Sequence, residues 1–145
     1  MNDIELLQSS IRQKVFKAEA CMLQMPQLEL EVKHYFSHGI YARELYIPRD
    51  TILVGKLHKF SQLNILSKGD ISVLIDEKVK RIQAPFTIVS PPGTKRIAYA
   101  HEDTVWLTIH GTDETDIDII EEIFTASNEQ EYLDFINSQL RLPGF

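Results

Sequence analysis

The chain is poor in the residues that staple a fold or carry it through a membrane. It has one cysteine, Cys21, in 145 residues, so it forms no internal disulfide and the cytoplasm is its default compartment. No run approaches the roughly 18 apolar residues of a membrane span. The first residues, Met1-Asn2-Asp3-Ile4-Glu5, lack the basic start and apolar stretch of a signal peptide. The expectation is a cytoplasmic protein with no membrane partner. Bases are scarce at one end: residues 111–145 hold nine acids and a single base, Arg141. That acidity, within a net charge of −6, excludes general binding of polymeric nucleic acid. Residues 41–110 instead carry ten bases against seven acids, a mild excess that suits a small anion. The sequence shows no repeat, low-complexity tract or linker. With 43% hydrophobic residues over 145 positions, a single domain with a sizeable core is expected.

What is present falls into three periodicities. Over residues 3–22, Ile4, Leu7, Ile11, Val15, Ala18 and Met22 fall on one helical stripe that needs burial against a sheet of this chain or of a second copy. Asn2 with Glu5 resembles a capping box, and Met25-Pro26 ends the helix. From Leu28 the period is two. Leu28, Leu30 and Val32 alternate with charges, and over residues 41–47 Tyr41, Arg43, Leu45 and Ile47 share one face. Short strands follow over residues 51–54, 62–66, 71–75, 79–83, 86–89, 95–100 and 104–110. Turn signals separate them, with a hairpin expected at Ser67-Lys68-Gly69-Asp70. Strands this dense, with no helix between them, predict an antiparallel sandwich or barrel. After Gly111 the period is helical again. Ile117, Ile120 and Phe124 line one side of a helix over 116–124. Ser127-Asn128-Glu129-Gln130 caps another, which buries Tyr132, Leu133, Phe135, Ile136 and Leu140 and stops at Pro143-Gly144. The organisation is one domain over 1–145: an N-terminal helix in 1–27, a barrel in 28–110 and acidic helices in 111–145.

Two polar segments sit inside the barrel stretch. Gly55, His58, Asn64 and Gly69 form one, and Pro91-Pro92-Gly93-Thr94-Lys95-Arg96 the other. Together they resemble the two motifs of a cupin, a mainly β fold built as an antiparallel jelly roll or double-stranded β-helix. Here it would carry one N-terminal and two C-terminal helices. A closer resemblance is to small uncharacterised cupin-like proteins of tailed bacteriophages and prophages. It runs through Gly39-Ile40-Tyr41-Ala42-Arg43-Glu44, Gly55-Lys56-Leu57-His58, Asn64-Ile65-Leu66-Ser67-Lys68-Gly69, Ala84-Pro85-Phe86, Pro92-Gly93-Thr94-Lys95-Arg96, Glu102-Asp103-Thr104-Val105-Trp106 and His110. This implies a viral or prophage setting. A metal-binding cupin takes two His and a Glu from the first motif and a His from the second. In this chain only His58 remains, with Phe60, Asn64 and Arg96 at the other three places. Arginine offers donors only and stays charged, so the resemblance with these departures implies no metal and no cofactor.

The same departures build a different pocket. Arg96 presents a planar fork suited to phosphate or carboxylate. Lys56, His58 and Asn64 add donors, and strand alternation sets Arg43 with Tyr41, and Trp106 with Thr108 and His110. The candidate ligand-binding set is Tyr41, Arg43, Lys56, His58, Asn64, Arg96, Trp106 and His110, receiving a small anion with an aromatic part, such as a nucleotide. Simpler roles compete for several of these residues. Trp106 suits a core, Arg43 beside Glu44 and Arg96 near Glu102 suit ion pairs, and His58 suits a bonded core histidine. Three functions follow. The first is metal-free capture of a small anion, such as a nucleotide-derived signal of host defence. The second is metal-independent phosphodiester cleavage of a cyclic nucleotide, with His58 and His110 as catalytic base and acid. The third is a structural part of a virion. Apolar stripes on three helices predict a homodimer or higher oligomer.

Overall fold

The computed structural model describes residues 1–140. In chain order it contains α1 (Asp3–Met22), β1 (Glu31–Ser37), β2 (Ile40–Ile47), β3 (Ile52–Val54), β4 (Leu57–His58), β5 (Gln62–Lys68), β6 (Asp70–Ile75), β7 (Lys78–Gln83), β8 (Phe86–Ser90), β9 (Ile97–Ala100), β10 (Thr104–His110), α2 (Ile117–Phe124), β11 (Thr125–Ala126) and α3 (Glu129–Leu140). One sheet has the order β1-β2-β10-β5-β8 and another β3-β9-β6-β7; β4 pairs with β11 alone. Every pairing is antiparallel. The expected mainly β barrel with flanking helices is the observed architecture. Among the described residues no helix is long and apolar enough to cross a membrane.

Alternation along the strands makes the core. Leu45, Ile47 and Leu66 from the larger sheet meet Ile71, Val73, Ile75 and Ala100 from the smaller one. Leu66 and Ile71 are 0% and 2% exposed, and burying each such side chain contributes about 1.5–3 kcal/mol. Val32, Leu53, Phe86 and Trp106 pack around them. These side chains fill one end of the barrel.

Several sequence expectations are corrected. The stretch Ser67-Lys68-Gly69-Asp70 is not a hairpin. β5 pairs with β10 and β8, whereas β6 pairs with β7 and β9, so the chain crosses between sheets there. Gly69 has φ +102°, and a Cβ there would lie 2.7 Å from the Asp103 carbonyl oxygen. The glycine is required by this close crossing of two segments of the chain. The first strand begins at Glu31, not Leu28, and Leu28 is exposed. The apolar stripe of α1 is covered only in part: Val15 is buried and Ile11, Ala18 and Met22 are half-buried, while Ile4 and Leu7 at its start are exposed. Polar contacts add to the packing of Phe16 on Leu57, Ala126 and Tyr132. Arg12 forms a two-pronged pair with Glu129 of α3, at 2.7 Å on both arms, and Ser9 joins it at 2.8 Å. Lys95 lies over the Phe16 ring and reaches Glu19 at 3.1 Å. The cap of α3 is Asn128, which accepts from the Glu131 N–H at 2.8 Å, one residue beyond the expected Ser127. Tyr132 is buried, and Leu133, Phe135 and Ile136 are half-buried. The expected burial of Leu140 and the stop at Pro143-Gly144 fall outside what is described.

Candidate functional site

The strands that close the core at one end of the barrel open a cavity at the other. Register shows how. In β2, β10 and β5 the inward positions step from Leu45, Trp106 and Leu66 to Arg43, Thr108 and Asn64, and then to Tyr41, His110 and Gln62. Each strand thus changes from apolar to polar along its inner face. On the smaller sheet Ala98 lies opposite Leu53 and Val73. Its small side chain leaves room, and Arg96 follows two residues earlier on the same face. The resulting cavity has a volume of about 150 Å³.

All eight residues of the candidate set line this cavity, in distinct ways. Asn64 is fully engaged: its amide nitrogen donates to Thr108 Oγ1 at 3.0 Å and to the Leu107 carbonyl at 3.3 Å. Its amide oxygen accepts from Ser90 Oγ at 2.5 Å. Arg96 Nη1 donates to the same Ser90 hydroxyl at 2.6 Å. Asn64 is therefore a strut that orients Ser90, which in turn orients Arg96. Among the described residues, neither Arg96 nor Arg43 has a carboxylate within salt-bridge distance. Glu44 is turned away to the Tyr35 and Tyr46 hydroxyls, so neither of the ion pairs considered from sequence forms. Burial pushes the Arg96 guanidinium below its ordinary value. Lys56 is at the exposed rim, 3.8 Å from Glu121. Trp106 serves both readings, packing on the core and forming part of the cavity wall.

The two imidazoles converge. His58 and His110 have ring centroids 5.6 Å apart, and His110 stacks on Phe124 at 4.5 Å. His58 is clamped by its backbone. Its N–H donates to the Thr94 carbonyl at 3.0 Å, its carbonyl accepts from Gly93 N–H at 2.8 Å, and Thr125 of β11 pairs with it. Gly93 has φ +82°, and a Cβ there would lie 2.7 Å from the Tyr132 hydroxyl, so this clamp depends on glycine. His58 is pushed down to about 3, by burial first and then by His110 and the cations Arg43, Arg96 and Lys95. Burial also lowers His110. Both rings are neutral near pH 7.

Sequence reasoning missed several participants. Gln62, Ser90, Thr108 and the Ile117, Ile120, Glu121 and Phe124 side of α2 belong to the site. His34 supports Tyr41 through its hydroxyl at 2.7 Å. Strand phase would have found Gln62, two residues before Asn64. The part played by α2 had no local signal beyond its amphipathic face.

No protein-family model matches the chain, and no curated protein is similar to it in sequence. Solved structures are similar. KdgF from a Halomonas species shares 16% identity at a TM-score of 0.52, over 65% of this chain and 88% of that one. An RmlC-like cupin from Shewanella frigidimarina shares 19% at 0.50, over 64% and 89%. A cupin superfamily protein from Desulfitobacterium hafniense shares 9% at 0.50, over 65% and 87%. The fold is cupin-like. Identities this low carry the fold and nothing about the reaction.

The cupin metal position does not fit a cation here. Phe60 turns its ring to Phe124 and Phe135, at 5.6 and 5.2 Å. The Asn64 amide is spent on Ser90, Thr108 and Leu107. Arg96 places positive charge where a ligand atom would stand. His58 and His110 supply imidazole lone pairs and Gln62 a neutral amide oxygen, and among the described residues no group of three or more His, Cys, Asp and Glu could hold a metal ion. Arg43, Lys56 and Arg96 against Glu121 alone leave this cupin-like barrel chemically suited to an anion.

Proposed function

We propose that this protein is a metal-free binding cupin that captures a small anionic ligand in the polar end of its barrel. One observation carries the reading. Among the described residues, the buried side-chain polar atoms without a partner are His58 Nδ1, Gln62 Oε1 and His110 Nδ1, and all three residues line the cavity that Arg43 and Arg96 also line. A buried polar group without a partner costs about 1–3 kcal/mol, and a desolvated charge costs more. A bound anion relieves the guanidinium charges and accepts from an imidazole N–H turned toward it, whereas the Gln62 amide oxygen, an acceptor, gains nothing from it. Lining charges of Arg43, Lys56 and Arg96 against Glu121 alone favour a monoanion or dianion.

Size narrows the ligand. About 150 Å³ is near the volume of a cavity that takes one benzene-sized ring. A monocyclic anion enters with α2 in place, whereas a mononucleotide requires α2 to swing outward. In the phage setting that the sequence resembles, stoichiometric capture of a nucleotide-derived signal of host defence is the wider reading, and it requires that outward movement of α2. Native mass spectrometry of protein purified from its host, with and without added nucleotide pools, tests this. Retention of a small anionic mass supports capture, and bare protein under both conditions defeats it.

The phosphodiesterase reading draws on the convergence of His58 and His110. It lacks an acid near pH 7, because both rings are held neutral. Incubation with cyclic nucleotides decides it, since product formation would replace capture with cleavage. The assembly also remains part of the proposal. Uncovered Ile4 and Leu7 on α1 favour pairing with a second copy, and a monomer by light scattering at micromolar concentration would overturn that pairing.

A further inference from the structure

The loop between β8 and β9, residues 91–96, has two faces. On the cavity side it carries Arg96 and clamps His58. The His58 N–H donates to the Thr94 carbonyl at 3.0 Å, and the Gly93 N–H donates to the His58 carbonyl at 2.8 Å. On the other side the same loop is held by α1, none of whose residues lines the cavity. Lys95 is 6% exposed and joins the two. Its Nζ donates to the Gly55 carbonyl at 2.8 Å, reaches Glu19 Oε1 at 3.1 Å and lies 4.2 Å from the centre of the Phe16 ring. Among the described residues Glu19 is the one carboxylate within salt-bridge distance of Lys95. Arg12, paired with Glu129, adds a long contact to the Gly93 carbonyl at 3.5 Å. Glu19 lies in the last turn of α1, where the partial negative charge of the helix end disfavours an acid. The Lys95 ammonium offsets that. Neighbouring residues of the loop thus serve opposite sides, Lys95 bonding to α1 and Arg96 lining the cavity.

We propose that the Lys95–Glu19 pair positions the Arg96 and His58 wall of the cavity, so that α1 sets anion affinity without touching the ligand. This rests on the anion-binding reading above and adds the element that regulates it. Glu19 and Lys95 are positioning residues. Removing the Glu19 carboxylate leaves a buried ammonium without its counter-charge. Lys95 then shifts toward water and draws the loop with it. Long-range electrostatics alone gives the opposite sign, because deleting an acid makes the surroundings more positive and tightens an anion. The sign of the change therefore separates positioning from charge.

Glu19→Gln in the full chain tests this, with benzoate and phenyl phosphate as probes. Binding is read by calorimetry and by the fluorescence of Trp106, the single tryptophan, at a temperature where both proteins are folded. Whichever probe the wild type takes is expected to bind Glu19→Gln about threefold or more weakly. In the ligand-free proteins, amide exchange at His58 and Gly93 is expected to quicken by about threefold or more, while amides in the middle of β10 keep their rates. If Glu19→Gln does not fold, Glu19→Gln combined with Lys95→Met replaces it, since no buried charge is then left unpaired, and the same two changes are expected. A smaller loss of affinity, or tighter binding, overturns the inference and leaves anion capture standing. So does exchange that is unchanged at His58 and Gly93, or that quickens equally in β10, because a helix that only stabilises the fold acts on both alike. If the wild type binds neither probe, anion capture is overturned, and the control of affinity falls with it whatever the exchange rates show.

Discussion

The two ends of the barrel use the same strands for opposite purposes. At the closed end Leu45, Trp106, Leu66 and Ile71 pack together, and burying their apolar surface is favourable without any further partner. At the open end, two and four residues away on those strands, His110 and Gln62 are buried, each with a polar atom left unmatched, and Arg43 is half-buried beside them. A core can be satisfied by the chain that forms it. The polar end is not satisfied by its own chain, and that mismatch separates a binding site from a packing defect.

The largest expected effect breaks the closed end. Leu66→Ala should lower unfolding free energy by about 2–5 kcal/mol, measured by urea denaturation. A loss under 1 kcal/mol would mean that the core lies elsewhere. A change of similar size, in a different quantity, applies to the open end. Arg96→Ala should weaken anion binding by about 2–5 kcal/mol while the ligand-free protein keeps or gains stability, because a desolvated cation is removed. Equal losses in both quantities would make Arg96 a structural residue like Leu66.

Acid sharpens the comparison. His58 has its folded value lowered to about 3 from 6.5, so the unfolded chain binds the proton more readily. Its stabilising contribution is full above 6.5 and is lost as pH falls through the window down to about 3. The slope from this one group approaches about 1.4 kcal/mol per pH unit. His58→Asn should flatten it in thermal or urea melts between pH 6 and about 4, and an unchanged slope would place His58 in water. The smallest effect is at the rim. Lys56→Ala removes an exposed pair with Glu121 and should change stability by less than about 1 kcal/mol. A larger loss would show that α2 depends on that pair to cover the cavity.

Much of this was legible beforehand, for short-range reasons. The inward faces of β2 and β10, the glycine and proline turns and the amphipathic side of α2 are set by residues a few positions apart and follow from strand alternation and side-chain chemistry. The replacement of metal ligands by Phe60, Asn64 and Arg96 was instead what the cupin resemblance implied. Where local pattern and long-range contact disagreed, contact prevailed. The apolar stripe of α1 predicted burial of Ile4 and Leu7, yet the helix is seated by Ser9 and Arg12 on Glu129 and by Lys95 on Phe16. The turn at Gly69 looked like a hairpin, and only the pairing partners of β5 and β6 show a crossing.

The sequence by itself determined the strand phase, and with it which of Arg43, Asn64, Trp106 and His110 face inward, because a period of two leaves each side chain one choice of side. Tertiary structure decided what those side chains meet. Ser90 holding Arg96 and Asn64 together, Thr125 pinning His58 and Phe124 covering His110 join positions 6 to 67 residues apart. Gln62 Oε1, by contrast, meets no partner among the described residues. Such matches depend on which strands become neighbours, and that is settled only when the sheets close on one another.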